Sequence, residues 1–266
     1  LNAIQVEQLI DGITMESRLI LGKAARTRTA GWFKSVTWME EVARDIGPAA
    51  MAIRLDVADP DSFAAFIAEA ERLGPVDLLV NNAGIMRTGD FVSQTLHTQH
   101  RELAINLGGV VTGMRLVLPA MLERNRGHIV NVASMAGKMS VPGAAVYTAS
   151  KFGVASLSRA VRAEIVKSKV TITTILPAAV RTELTAGLDI KGVPAAAPQD
   201  VAREIVASCR HGRPEVTMPK GLGLIGAVEQ GLPEGIGEFI KRSVGAQKRI
   251  APGNEKAKAY QDRTAR

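Results

Sequence analysis

His128-Ile-Val-Asn-Val-Ala-Ser134 is the stretch that decides the fold of this chain. Its β-branched run follows the turn-prone Arg124-Asn125-Arg126-Gly127, a pattern that predicts a buried strand with Ser134 at its C-terminal end. In open α/β sheets ligands collect at that end of the strands.

Working outward, strand-like and helix-like segments alternate from Ala49 onward. Residues 51–57 read as a short apolar strand closing on Asp56, and Asp59-Pro60 starts a helix that Gly74-Pro75 breaks. Residues 77–80 form a further buried strand, and Asn81-Asn82-Ala83-Gly84 turns at its end. A long helix with an apolar stripe is expected over 97–124, kinked near Gly108-Gly109 and Pro119, and leads into the 128–134 strand. Beyond it, 144–167 reads as helix, 170–176 as a strand stopped by Pro177, 199–210 as helix and 215–218 as a last short strand. Crossovers long enough to hold helices imply a parallel sheet covered on both faces, hence an α/β fold.

Composition narrows the classes. With 266 residues and 46% hydrophobic content the chain can bury a sizeable core as one domain. The single cysteine, Cys209, excludes an internal disulfide; its helical phase predicts a buried thiol, which fits a reducing cytoplasm. No signal-peptide pattern or membrane span is expected. The net charge of +7 is spread out and aromatics are only 4%, which argues against a nucleic-acid surface. Much of the excess lies in Lys241, Arg242, Lys248, Arg249, Lys256, Lys258, Arg263 and Arg266, so 241–266 reads as a flexible basic tail. His97 and His100 lack further ligands nearby, and no metal is expected.

The chemistry sits in Ala145-Val-Tyr-Thr-Ala-Ser-Lys151. On a helix, Tyr147 and Lys151 share one face, so the ammonium can favour phenolate and bring the phenol towards the working pH. A Ser134 hydroxyl can hydrogen-bond the same substrate oxygen. Each residue alone has a plainer reading: a surface helix for the Tyr/Lys pair, a kink for Asn106, turn positions for Asn81 and Gly84, a helix cap for Asp56.

Taken together, Asn81-Asn82-Ala83-Gly84, Asn106, Ser134, Tyr147 and Lys151 occur in the order and spacing that resemble the short-chain dehydrogenase/reductase family, over 49–219. The resemblance implies a Rossmann-like doubly wound parallel sheet in a single domain over 1–240, and NAD or NADP as cofactor. It makes Tyr147 the acid/base, Ser134 the holder of the substrate oxygen, Lys151 a ribose ligand that lowers the tyrosine pKa, and Asn106 the support of a proton-relay water. It further implies that Asp56 and Val57 contact adenine, that Asn81, Ala83 and Gly84 lie beside the adenosine half, and that Pro177, Val180 and Thr182 hold the nicotinamide carboxamide. Ala178 stands where the family usually has glycine, a strained substitution if that backbone needs positive φ; Thr182 also suits a helix N-cap for 183 onward. The implied reaction interconverts an alcohol and a ketone or aldehyde. The apolar content of 191–197 and 221–240 suggests a hydrophobic substrate. A homodimer or homotetramer is the assembly implied.

The departure is at the start. Residues 1–48 are divergent: the family's opening strand and Thr-Gly-x-x-x-Gly-x-Gly turn, which brings bare backbone to a pyrophosphate, are missing. Gly12, Gly22 and Gly31 are too far apart for that turn, and 18–34 is dense in arginine, lysine and threonine without apolar periodicity. Family-like helix resumes at 39–46. The alternative reading is therefore an impaired relative, with a frameshifted or degenerate N-terminus, acting as a binding or oligomerisation module.

Overall fold

A computed structural model describes residues 40, 43–48, 50–182, 184–185, 195–220, 259–260 and 262, together with the backbone of 19–24. Strand β1 (Leu19–Ala24) pairs in parallel with β2 (Ala50–Leu55), Leu19 opposite Ala50 and Ala24 opposite Leu55. The divergent opening thus contains a strand that its sequence, with Gly22 inside and Lys23 beside it, does not announce. Residues 12–18 and 25–39 of the divergent opening lie outside the described residues.

After β2, Asp59 caps α1 (Pro60–Glu71): its carboxylate accepts from Asp61 N at 3.0 Å and Ser62 N at 3.4 Å, with proline in the first turn where no N–H is needed. Strand β3 (Leu78–Asn81) follows. A continuous helical stretch then comprises α2 (Leu96–Leu103), a π-helical turn (Ala104–Gly108) and α3 (Gly109–Glu123). Then come β4 (His128–Val132), α4 (Ala145–Glu164), β5 (Thr171–Pro177), the short pair β6 (Ala179–Val180) and β7 (Ala195–Ala196), α5 (Pro198–His211) and β8 (Glu215–Met218). The order β3-β4-β5-β8 is parallel throughout, with helices in every crossover.

Alternation along the strands sends apolar side chains to both faces. Ile129, Ile172 and Leu176 pack with Phe63, Phe66, Val117, Met121 and Val154 of α1, α3 and α4. Their neighbours Val130 and Ile175 turn the other way, onto Val201 and Ile205 of α5. This is the doubly wound sheet expected, with helices on both faces. The span Leu96–Glu123 is apolar enough by composition to cross a bilayer, yet here Val110, Met114, Val117 and Met121 are core residues.

Three local expectations are revised. The kink expected at Gly108-Gly109 is a π-turn that ends on Gly108, and the α3 glycines serve close packing. A Cβ on Gly109 would sit 3.0 Å from Val57 Cβ, and one on Gly113 would sit 2.6 Å from Asn81 Oδ1 and 2.7 Å from Phe63 Cζ. Cys209 is exposed on α5, because the inward phase falls on Ser208. Ala178 escapes the strain considered for it, since Asn125 is the one non-glycine residue at positive φ among those described.

Candidate active site

Where β4 ends, the chain makes one 3-10 turn, Met135–Gly137, capped by Ser134: its Oγ accepts from Ala136 N at 3.1 Å and donates to Pro177 O at 3.4 Å, at the end of β5. The turn lies against α4 so closely that a Cβ on Gly137 would come within 2.5 Å of Lys151 O. Glycine is what lets Ser134 and the Tyr147 face of α4 converge.

Tyr147 and Lys151 are both buried, one helical turn apart. The Lys151 ammonium lies 5.7 Å from the Tyr147 ring centroid and donates to Val132 O at 2.9 Å. Burial lowers Lys151 to about 8, opposed by the Glu102 carboxylate, so at neutral pH it is still mostly ammonium. Burial likewise pushes the Tyr147 phenol up to about 12; a hydrogen bond from Ser134 pulls it down and Glu102 adds to the rise. The expected lowering of the tyrosine by Lys151 is therefore not what the protein alone achieves. Desolvation of a buried phenolate is the largest influence, and at neutral pH the Tyr147 phenol is neutral.

Asn106 sits fully buried in the π-turn. Its Oδ1 accepts from Ile85 N at 2.8 Å, and its Nδ2 donates to Ile85 O at 2.8 Å and to Ser150 Oγ at 3.1 Å. Both ends of the amide are taken, and they tie the segment after β3 to α4.

The residues assigned by resemblance to a dinucleotide line the C-terminal strand edge. Asp56 follows β2, its N donating to Ser62 Oγ at 2.9 Å and its Oδ1 accepting from Ala58 N at 3.1 Å, while Val57 is buried against α3. Asn81 turns its side chain inward, donating from Nδ2 to Asn131 Oδ1 at 2.8 Å, and Asn131 in turn reaches Ser158 Oγ at 2.8 Å. Its amide is a strut across the sheet. Ala83 and Gly84 remain half-buried. A Cβ on Gly84 would lie 3.3 Å from Asn106 Oδ1 and 3.6 Å from Lys151 Nζ, so bare backbone faces the lysine there. Pro177 closes β5, Val180 O accepts from Thr185 Oγ1 at 2.6 Å, and Thr182 is exposed in a turn. Thr182 caps no helix among the described residues. Bare backbone beside a buried cation, at the carboxyl ends of parallel strands, fits the ribose and nicotinamide half of a dinucleotide.

Three residues of this site escaped sequence reading. Glu102 on α2 is fully buried and accepts from Arg87 N at 2.9 Å; burial pushes its carboxyl up to about 7. A charged residue one turn before Asn106, in the buried phase, was the available signal. Arg87 carries the opposite charge beside it. Tyr260 comes from the stretch read as a flexible tail, yet its Oη accepts from Met86 N at 3.2 Å, and burial pushes its phenol up to about 12. Nothing in the sequence near Tyr260 marks this, because the contact spans 174 positions.

Comparison with known proteins agrees with this geometry. The sequence model described as short chain dehydrogenase matches residues 28–191, starting earlier than the resemblance read from the motifs. The chain is 40% identical over 142 residues to the inactive 2-(S)-hydroxypropyl-CoM dehydrogenase 2 of Xanthobacter autotrophicus, covering 53% of this chain and 62% of that one. It is 36% identical over 185 residues to the 2-(R)-hydroxypropyl-CoM dehydrogenase of the same organism, covering 66% and 72%. Among solved structures, a metagenomic short-chain oxidoreductase in complex with NADP superposes with a TM-score of 0.65 at 26% identity, over 80% of this chain and 89% of that one. The chain spans 61–62% of the length of the first relatives it matches. Half the chain and more falls within the family's own pattern, and the chain belongs to the short-chain dehydrogenase family.

Proposed function

We propose that this protein is an NAD(P)-dependent oxidoreductase that interconverts an alcohol and a ketone or aldehyde, with Tyr147 as the group that exchanges the proton. The observation that carries the reading is the convergence of Ser134, Tyr147 and Lys151, all buried, at the C-terminal edge of β4 and β5. A nicotinamide dinucleotide supplies or takes the hydride when bound. In the reduction direction a neutral Tyr147 donates to the carbonyl oxygen as negative charge develops there, and the Ser134 hydroxyl donates to the same oxygen. Lys151 stays close to Tyr147 as the cation that meets phenolate once the proton has left, and it presents Nζ towards the ribose side at Gly84.

Asn106 contributes by holding Ile85, and with it the Gly84 backbone, against α4. Asp56 and Val57 are assigned to the adenine end, Asn81, Ala83 and Gly84 to the adenosine side, and Pro177, Val180 and Thr182 to the carboxamide. Met86, Ala136, Ala144 and Tyr147 form an apolar cluster that Val141 and Leu184 extend, which favours a hydrophobic alcohol or carbonyl substrate. A homodimer or homotetramer belongs to the same reading.

The second reading, an impaired relative serving as a binding module, draws on the unusual opening and on a 40% identical relative named inactive. Calorimetric titration with NAD(H) and NADP(H), followed by turnover on a panel of apolar alcohols and ketones, separates the two. Micromolar binding with turnover supports the oxidoreductase; failure of all four nucleotides to bind supports the module.

A further inference from the structure

Helix α2 departs from the rule that a helix buries apolar residues, because its buried positions are Thr98, Gln99 and Glu102. Thr98 Oγ1 donates to Thr95 O at 2.8 Å, and Gln99 Nε2 donates to Phe91 O at 2.8 Å. Glu102 is less well served. Its Oε1 accepts from Arg87 N at 2.9 Å, while its Oε2, buried, has no hydrogen-bond partner among the described residues. A carboxyl group kept inside with an idle oxygen is costly where leucine or methionine would pack, so its presence calls for a task.

The charged and titratable groups around it identify the task. Arg87 N meets the Glu102 carboxylate from the segment after β3, where the adjacent Met86 shares an apolar cluster with Tyr147 of α4 and donates to Tyr260 Oη. A Cβ on Gly84 would touch both Asn106 Oδ1, one turn along from Glu102, at 3.3 Å and Lys151 Nζ at 3.6 Å. Lys151, Tyr147, Tyr260 and Arg87 are the charged and titratable groups in electrostatic reach of Glu102, with Asp262 beyond Arg87. One turn along the helix, Asn106 bonds Ser150 of α4, which fixes how the Glu102 face meets the Lys151 face. We infer that Glu102 is a positioning residue for the Tyr147–Lys151 pair: a buried carboxylate that acts through its charge on both, and so sets the pH at which the pair gives up its proton. The inference rests on the reading of Tyr147 as the proton-exchanging group. In anionic form Glu102 favours the Lys151 ammonium and opposes the Tyr147 phenolate; once protonated or replaced by an amide it does neither.

The test is lysine-selective carbon-13 NMR on the whole chain, with the Lys151 signal identified by its loss in Lys151→Met. Glu102→Gln keeps the shape and the acceptor for Arg87 N, and it should lower the Lys151 midpoint by about half a pH unit or more. Glu102→Asp keeps the charge and should stay nearer the parent. An unmoved Lys151 midpoint in folded Glu102→Gln overturns the inference. If that variant does not fold, the parent decides: the Lys151 signal must carry a second inflection where the Glu102 carboxyl titrates, and a single inflection overturns it. In turnover, alcohol oxidation by Glu102→Gln should rise at lower pH than in the parent, and a superimposable profile overturns the catalytic part. A parent without any NAD(P)-dependent turnover, but with a Lys151 midpoint that moves, sinks the oxidoreductase reading and leaves the coupling standing.

Discussion

Asn106 and Ile85 pair as two strands would. Ile85 N donates to the Asn106 side-chain oxygen and Asn106 Nδ2 donates back to Ile85 O, both at 2.8 Å. Asn106→Asp keeps the acceptor and loses the donor, leaving Ile85 O and Ser150 Oγ without it. We expect a loss of roughly 1–3 kcal/mol in stability and weaker nucleotide binding. Chemical denaturation and calorimetric titration measure the two; wild-type values in both would show that the Asn106–Ile85 pair holds nothing in place.

Tyr147→Phe should cut turnover by roughly 10²-fold or more while leaving the thermal midpoint close to the parent's, since only the hydroxyl is lost. Activity within a few-fold of the parent would end the proton-transfer assignment.

Lys151→Met should damage turnover and nucleotide affinity together, because the same ammonium faces Tyr147 and the Gly84 backbone. A change confined to thermal stability would reduce Lys151 to a packing residue.

His128 predicts an acid limb of stability. Its ring bridges Thr171 Oγ1 at 2.7 Å and Ser208 Oγ at 2.9 Å, and burial lowers it to about 4. The unfolded chain therefore binds the proton first: stability is full above the ordinary histidine range near pH 6.5 and falls as pH drops towards 4, by at most about 3 kcal/mol. Urea midpoints between pH 7 and 4 should show this slope in the parent and a shallower one in His128→Asn.

Gly113→Ala should destabilise by roughly 1–3 kcal/mol, because its methyl would press on Asn81 Oδ1 and Phe63 Cζ, both under 3 Å away. A neutral result would show that α3 can slide off the sheet without cost.

What could be read in advance divides along physical lines. Strands β2, β3, β4, β5 and β8, the helix starts at Asp59-Pro60 and Pro198 and the convergence of Ser134, Tyr147 and Lys151 follow from local periodicity, turn residues and helical phase, which a single sequence displays; the two-residue β6 and β7 do not. Strand β1 hid because Gly22 and Lys23 interrupt the alternation that marks a strand, and its partner β2 supplies the order. The inward turn of Asn81, the exposure of Cys209 and the depth of Glu102 depend on which helix lies against which strand. The rise of the Tyr147 phenol depends on burial, which spacing along a helix does not measure.

The Met86–Tyr260 hydrogen bond joins residues 174 apart. A contact that closes so long a loop forms only after the intervening parallel strands have found their order, a slow class of assembly. During refolding, helical signal should thus return before this edge of the site does. On the proposed oxidoreductase reading, activity would then be among the last properties to return on refolding, and the first lost when the contact at Tyr260 opens.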